Sequence, residues 1–267
     1  MSEVLVTSPA DGVTQVTLNR PDALNTLTAD AVAELHEVLT DIAQDRSCRV
    51  VVLTGAGHAF SAGLDLNGYG DEDRVADEGH LARTLSRQRE IAGLAQQLHE
   101  LPQPVVAAVN GPAAGGGLAF VCASDVRIAA TPAVFAVSFI RAGFSACDIG
   151  VSWLLPRIVG AGRAHELMLT GRRFDADEAL RIGLVTDVVE PTRLLAAALA
   201  KANEIMLNPP LSVELTKQGM WIALETPSFD ASVEFENRQQ VFTALTEDRA
   251  EATATFLAKR PPSYRRR

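Results

Sequence analysis

The stretch of this chain best suited to chemistry carries almost no functional side chains. Asn110-Gly111-Pro112-Ala113-Ala114-Gly115-Gly116-Gly117-Leu118-Ala119 places four glycines within seven residues, between apolar runs at 105–109 and 118–122. Apolar run, glycines, apolar run predicts a buried strand, a tight turn and a buried helix. The first N–H groups of a helix lack intrahelical acceptors and sit at the positive end of its dipole. With no Cβ atoms to cover them, they can bind an anion or the oxyanion that develops on a carbonyl. The alternative is close packing of helix on strand, where only glycine fits. A nucleotide-phosphate loop is not indicated, because no Lys follows the glycines and the turn lacks GxGxxG. A second turn has the same design. The β-branched run at 49–54 ends in Gly55-Ala56-Gly57-His58-Ala59-Phe60-Ser61-Ala62-Gly63-Leu64-Asp65-Leu66, which predicts a strand, a glycine turn and a short helix from Ala62. Two such turns in one domain can aim two backbone N–H groups at one carbonyl oxygen.

The pairing of GAGHAFSAGLDL (55–66) with AAVNGPAAGGGLAF (107–120) resembles the enoyl-CoA hydratase/isomerase family, the crotonase superfamily. Further segments with family character are VTLNRP (16–21) with ALN (23–25), SDVRIA (124–129), TGRRFDA (170–176), GLV (183–185) and FLAKRPPSY (256–264), so the resemblance extends over nearly the whole chain. It implies an α/β fold with a crotonase-like ββα spiral core and a helical C-terminal trimerisation region. Residues 1–190 would form the core with the acyl-CoA site. Residues 191–267 would serve assembly and site closure, as a homotrimer or a hexamer. The implied chemistry is stabilisation of a thioester enolate by the backbone N–H groups of Leu64 and Gly116. Ala62, Leu64, Asp65 and Leu66 would line the coenzyme A end of the site. No cofactor is implied beyond the coenzyme A carried by the substrate, and no metal.

Two departures from the family pattern bear on the reaction. Hydratases of the family carry two glutamates that hold and activate a water. Their positions correspond here to Ala119 and Phe139, and neither side chain can hold a proton. Asp148 lies close by, in Gly143-Phe144-Ser145-Ala146-Cys147-Asp148-Ile149-Gly150-Val151-Ser152-Trp153. In a dienoyl-CoA isomerase, a dihydroxynaphthoyl-CoA synthase and a chlorobenzoyl-CoA dehalogenase of this superfamily, an aspartate in a similar loop is catalytic. The other reading of Asp148 is an N-cap of the helix that contains Trp153. Cys147 has no His nearby in sequence to activate it as a nucleophile. The leading expectation is enoyl-CoA hydratase-like lyase chemistry through the enolate. The alternatives are an acyl-CoA hydrolase, dehalogenase or C–C bond enzyme that uses Asp148, and a non-catalytic acyl-CoA binder.

The composition bounds these readings. The 267 residues are 47% hydrophobic and 21% charged, which suits one core with a helical appendage. The net charge of −9 argues against general nucleic-acid binding. No apolar run approaches the ~20 residues of a membrane span, and Met1-Ser2-Glu3-Val4 does not resemble a signal peptide. Cys48, Cys122 and Cys147 are few and scattered, which fits a reducing cytoplasm, with Cys48 and Cys122 buried. A phosphate-bearing ligand then needs a local basic site. Lys259 and Arg260 are candidates at the end of a helical pattern, whereas 265–267, all Arg, read as a solvated tail.

Several elements must position the two turns. Strands are expected at 4–7 and 13–19, a helix over 29–42, and buried strands at 49–54 and 105–109. Residues 66–83 are polar and patternless, which suggests a mobile flap. An amphipathic helix follows over 85–101. Asp175-Ala176-Asp177-Glu178 has the form of a capping box. Four helices are expected in the last third, over 194–206, 211–224, 229–245 and 248–259.

Overall fold

The computed structural model describes residues 2–267. The strands β1 (Val4–Ala10) and β2 (Val13–Leu18) form an antiparallel hairpin. A Cβ on Gly12, at φ +75°, would come within 2.9 Å of Met206 Sδ, so the tight turn and the close approach both require glycine. The helix α1 (Ala29–Gln44) then crosses to β3 (Val50–Gly55). Thr28 caps α1 by accepting the Ala31 N–H at 3.1 Å. The helices α2 (Glu72–Glu78) and α3 (His80–Glu100) lead to β4 (Val105–Val109). The short β5 (Ala113–Ala114) and α4 (Gly116–Ala123) lead to β6 (Val126–Ala130). Next come β7 (Val134–Ala136), α5 (Val151–Val159), α6 (Ala161–Thr170), β8 (Arg173–Asp175), α7 (Ala176–Arg181) and β9 (Asp187–Val189).

Strands β1-β2-β3-β4-β6-β9 form one sheet, parallel from β2 onward, and β5-β7-β8 form a second, small one. Alternation along β3 divides the main sheet between two cores. Val51 and Leu53 face the core that also holds Leu35, Leu94 and Phe120. Val50 and Val52 face the other, which is closed by Leu194, Ala198 and Ala202 of α8 (Leu194–Met206). Both faces are therefore buried, which accounts for the unbroken apolar runs of β3 and β4. The fold is a mixed α/β architecture, and no described helix is long and apolar enough to cross a membrane.

Three expectations need correction. Residues 66–83 are not patternless loop throughout, because α2 and the start of α3 lie within them. The side chain α3 buries there is Arg83, fully enclosed, which reaches Asp71 at 2.6 Å and Glu90 at 2.8 Å and 2.9 Å. Arg87 also donates to Asp71, at 3.0 Å from Nε. Burial raises the Asp71 carboxyl, but the hydrogen bonds and charges of Arg87 and Arg83 outweigh it and hold it below the usual range. A buried ion cluster leaves no apolar period in the sequence. Second, no helix begins at Ala62; the segment is used in bridges from Ser61 to Ala113 and from Leu64 to Leu27. Third, the backbone of the last residues is tied down, although Arg265 and Arg267 stay exposed as expected of a solvated tail. Asp248 accepts the N–H groups of Arg265 at 2.7 Å and Arg266 at 2.8 Å, and Arg266 pairs with Glu214 at 2.8 Å.

The final helices are α9 (Pro210–Glu225), α10 (Phe229–Ala244) and α11 (Glu247–Ala258). Phe229, Phe242, Leu245, Phe256 and Leu257 are exposed in this region. The buried Lys217 of α9 docks on the core through Asp125 at 2.8 Å and the carbonyls of Leu98 and Gln103. The Asp175 side chain accepts the Glu178 N–H at 2.8 Å and so caps α7 as the sequence predicts.

Candidate active site

The two glycine turns meet. Ala114 N donates to Ser61 O at 2.9 Å, and Phe60 N donates to Pro112 O at 3.0 Å. A Cβ on Gly63 would fall 2.9 Å from Gly116 N, and one on Gly117 would fall 2.2 Å from Ser61 O. Only glycine permits this approach. Two buried or half-buried amides brace the first turn. Asn25 Nδ2 donates to Ala56 O at 2.9 Å and Ala59 O at 2.8 Å. Asn110 Nδ2 donates to Gly57 O and Ala59 O at 3.0 Å each. Neither asparagine was expected to have this role, although each lies in or close to a segment with family character.

Leu64 and Gly116 line one cleft of about 100 Å³. Gly116 is the first residue of α4, so its N–H has no intrahelical acceptor. Neither it nor the Leu64 N–H has an acceptor among the turn and loop hydrogen bonds of the described residues. The structure thus brings together two unengaged donors, one at a helix start and one in an irregular segment. The dipole contribution expected of both turns applies to Gly116 only. Ala62 and Leu66 also line the cleft.

The remaining candidates divide. Asp65 turns away from the cleft to Arg20, at 3.0 Å, and to the Thr26 hydroxyl, at 2.9 Å. Burial raises its carboxyl, but hydrogen bonds from Asn67 N, Arg20 and Thr26 overcome this and lower it. Its evident work here is to brace the loop. Lys259 ends α11 in a left-handed conformation, and Arg260 pairs with Glu251 at 2.8 Å; neither lines the cleft. Ala119 is fully buried within the core and does not reach the cleft, whereas Phe139 forms part of its wall.

Asp148 is half-buried and is the one titratable side chain lining the cleft. Its Oδ1 accepts the Ile149 N–H at 2.8 Å and a hydrogen bond from Gln88 Nε2. It does not cap α5. Gly150 occupies the N-cap without a side-chain bond, and only the Asp148 carbonyl engages Val151 N, at 2.9 Å. Ile149, a β-branched residue at φ +45°, is a conformational outlier between the carboxylate and Gly116. Such strain persists only where the surroundings enforce it. Cys147 is exposed and free, while Cys48 and Cys122 are buried; burial pushes the Cys122 thiol up to about 12. Sequence reading missed Gln88, because a lone Gln on an amphipathic helix has no motif to mark it.

Comparison with known proteins bears on this geometry. The family model "Enoyl-CoA hydratase/isomerase" matches residues 9–267. The chain is 40% identical over 265 residues to the "Probable enoyl-CoA hydratase EchA12" of Mycobacterium tuberculosis, with 99% of this chain and 93% of the relative covered. It is 36% identical over 266 residues to the 1,2-epoxyphenylacetyl-CoA isomerase of Escherichia coli, with 99% of each covered. The crystal structure of a probable enoyl-CoA hydratase/isomerase from Mycobacterium abscessus superimposes with a TM-score of 0.92 at 37% identity, covering 100% of both chains.

Proposed function

The chain belongs to the enoyl-CoA hydratase/isomerase family, and we propose that it acts on an acyl-CoA thioester by enolate-forming proton transfer, with Asp148 as its acid–base group. In this reading coenzyme A enters as part of the substrate. The thioester oxygen accepts hydrogen bonds from Leu64 N and Gly116 N. Asp148 removes a proton from the acyl chain, and the electron pair of the broken C–H bond delocalises onto the thioester oxygen. The two N–H groups stabilise the charge that develops there. Return of the proton to a different carbon moves the double bond, and one carboxylate suffices for both transfers. The observation that carries this reading is the cleft lining. Two residues with free backbone donors, Leu64 and Gly116, line the cleft with one carboxylate, while Phe139 and Ala119 supply no second one.

A second reading, hydratase-like lyase chemistry, is favoured by the likeness to the M. tuberculosis relative, whose name is that of a hydratase. Hydration must hold a water as well as shuttle protons, and a single carboxylate serves it less well. The two separate in an assay of purified protein with 3-enoyl-CoA, crotonyl-CoA and β-oxoacyl-CoA esters. We expect conversion of 3-enoyl to 2-enoyl esters, with crotonyl-CoA hydration the poorest reaction. Hydration as fast as isomerisation would favour the lyase. Binding with no turnover of any ester would overturn the enzymatic reading and leave an acyl-CoA binder.

We also propose that copies of the chain assemble, as a homotrimer or a hexamer of paired trimers, through the exposed apolar side chains of α10 and α11. Light scattering at micromolar concentration should give a multiple of 28.5 kDa, and a stable monomer would contradict the assignment.

A further inference from the structure

The polar wall of the cleft lies on the side of α3 and the loop before α5. On that wall Asp148 has one side-chain partner, Gln88, and the two line the cleft together. A carboxylate can only accept, so the amide nitrogen of Gln88 faces it. Both inward hydrogen bonds, from Gln88 and from Ile149 N, fall on Oδ1. Oδ2 makes no hydrogen bond among the described residues, which leaves it free for a substrate proton.

Gln88 is itself well placed by its neighbours in the chain. Arg87 binds Asp71, and Glu90 takes both terminal nitrogens of the buried Arg83. Ile91, one turn further along α3, is buried against the same cleft. The Arg83 hydrogen bonds and charge hold the Glu90 carboxyl below its usual range, so this clamp stays charged at neutral pH. The ion cluster fixes the part of α3 that carries Gln88, and Gln88 reaches across the cleft to the loop that carries Asp148.

We propose that Gln88 is a positioning residue for Asp148: its amide fixes the carboxylate so that Oδ2 is presented to the acyl chain, and the reactive geometry is complete only when α3 is docked. This rests on the reading of Asp148 as the acid–base group. A charge-assisted hydrogen bond of this kind is stronger than a neutral one and restricts direction.

The test is a double-mutant cycle with Gln88→Met and Asp148→Asn. Methionine keeps the length of the side chain and removes the donor. Gln88 is exposed, so the fold should tolerate the change, and melting temperatures of the variants check this. We expect Gln88→Met to lower kcat about tenfold or more, as loss of one charge-assisted hydrogen bond implies, with KM within about twofold of the parent. In the Asp148→Asn background the same change should have no further effect, because the group that Gln88 positions is gone. An unchanged kcat, a change confined to KM, or an equal loss in both backgrounds would overturn the proposal. An impaired Asp148→Asn variant beside an intact Gln88→Met variant removes the positioning role alone. Full turnover in Asp148→Asn removes the acid–base reading and the positioning role together.

Discussion

A Gly116→Pro variant is expected to lose turnover by at least about 10²–10³-fold, the usual cost of removing one oxyanion donor. Gly116 opens α4, and proline is well tolerated at the first helical position, where the N–H has no helical acceptor. Proline therefore removes the donor without breaking the helix. It also biases the preceding Gly115 away from ψ −119°, which displaces the turn further. Gly116→Ala is the matched control, because it keeps the N–H. Its Cβ would meet Leu27 Cδ1 at 3.1 Å and Ile149 Cδ1 at 3.5 Å, both at the ends of flexible side chains. The alanine variant should keep most of its activity, and the proline variant should bind acyl-CoA without productive geometry. Equal activity in the two, with intact melting transitions, would show that the Gly116 N–H contributes nothing.

Asp148→Asn is expected to lower turnover by at least about 10²-fold, in keeping with the loss of general acid–base catalysis. Stability should hardly change. The Asp148 side chain does not cap α5, and an asparagine oxygen can still accept the Ile149 N–H. Acyl-CoA affinity should also stay near the parent value, because the proposed thioester contacts are made by Leu64 and Gly116. A variant with full turnover would show that the carboxylate is structural. A variant with a depressed melting transition and proportionately reduced activity would point the same way.

Much of the frame was legible because it is written in backbone-dependent residue types. Gly63, Gly111 and Gly117 stand where a Cβ would collide with the facing turn, so glycine spacing marked the meeting of the two turns. The unbroken apolar runs of β3 and β4 signalled a sheet buried on both faces. The features that escaped are held by buried ion pairs, backbone bridges and side-chain contacts that leave no periodic pattern in the sequence. Arg83 occupies a buried position of α3 with Asp71 and Glu90 as partners, and its charge disguised a helix as a flap. The segment after Ser61 looked helical but is committed to bridges with Ala113 and Leu27. The tail looked frayed, yet Asp248 holds its backbone at Arg265 and Arg266 and Glu214 pairs with the Arg266 side chain, while Arg265 and Arg267 stay exposed. Gln88 and Asp148 lie 60 residues apart in sequence, and only the docking of α3 on the loop before α5 brings them together.

The account stands most directly on where the thioester carbonyl binds, which a crystal structure with an unreactive acyl-CoA ester would show. The oxygen should lie within hydrogen-bonding distance, roughly 2.7–3.2 Å, of both Leu64 N and Gly116 N, with the acyl chain passing Asp148. A carbonyl bound away from these two N–H groups, in a fully occupied site, would contradict it.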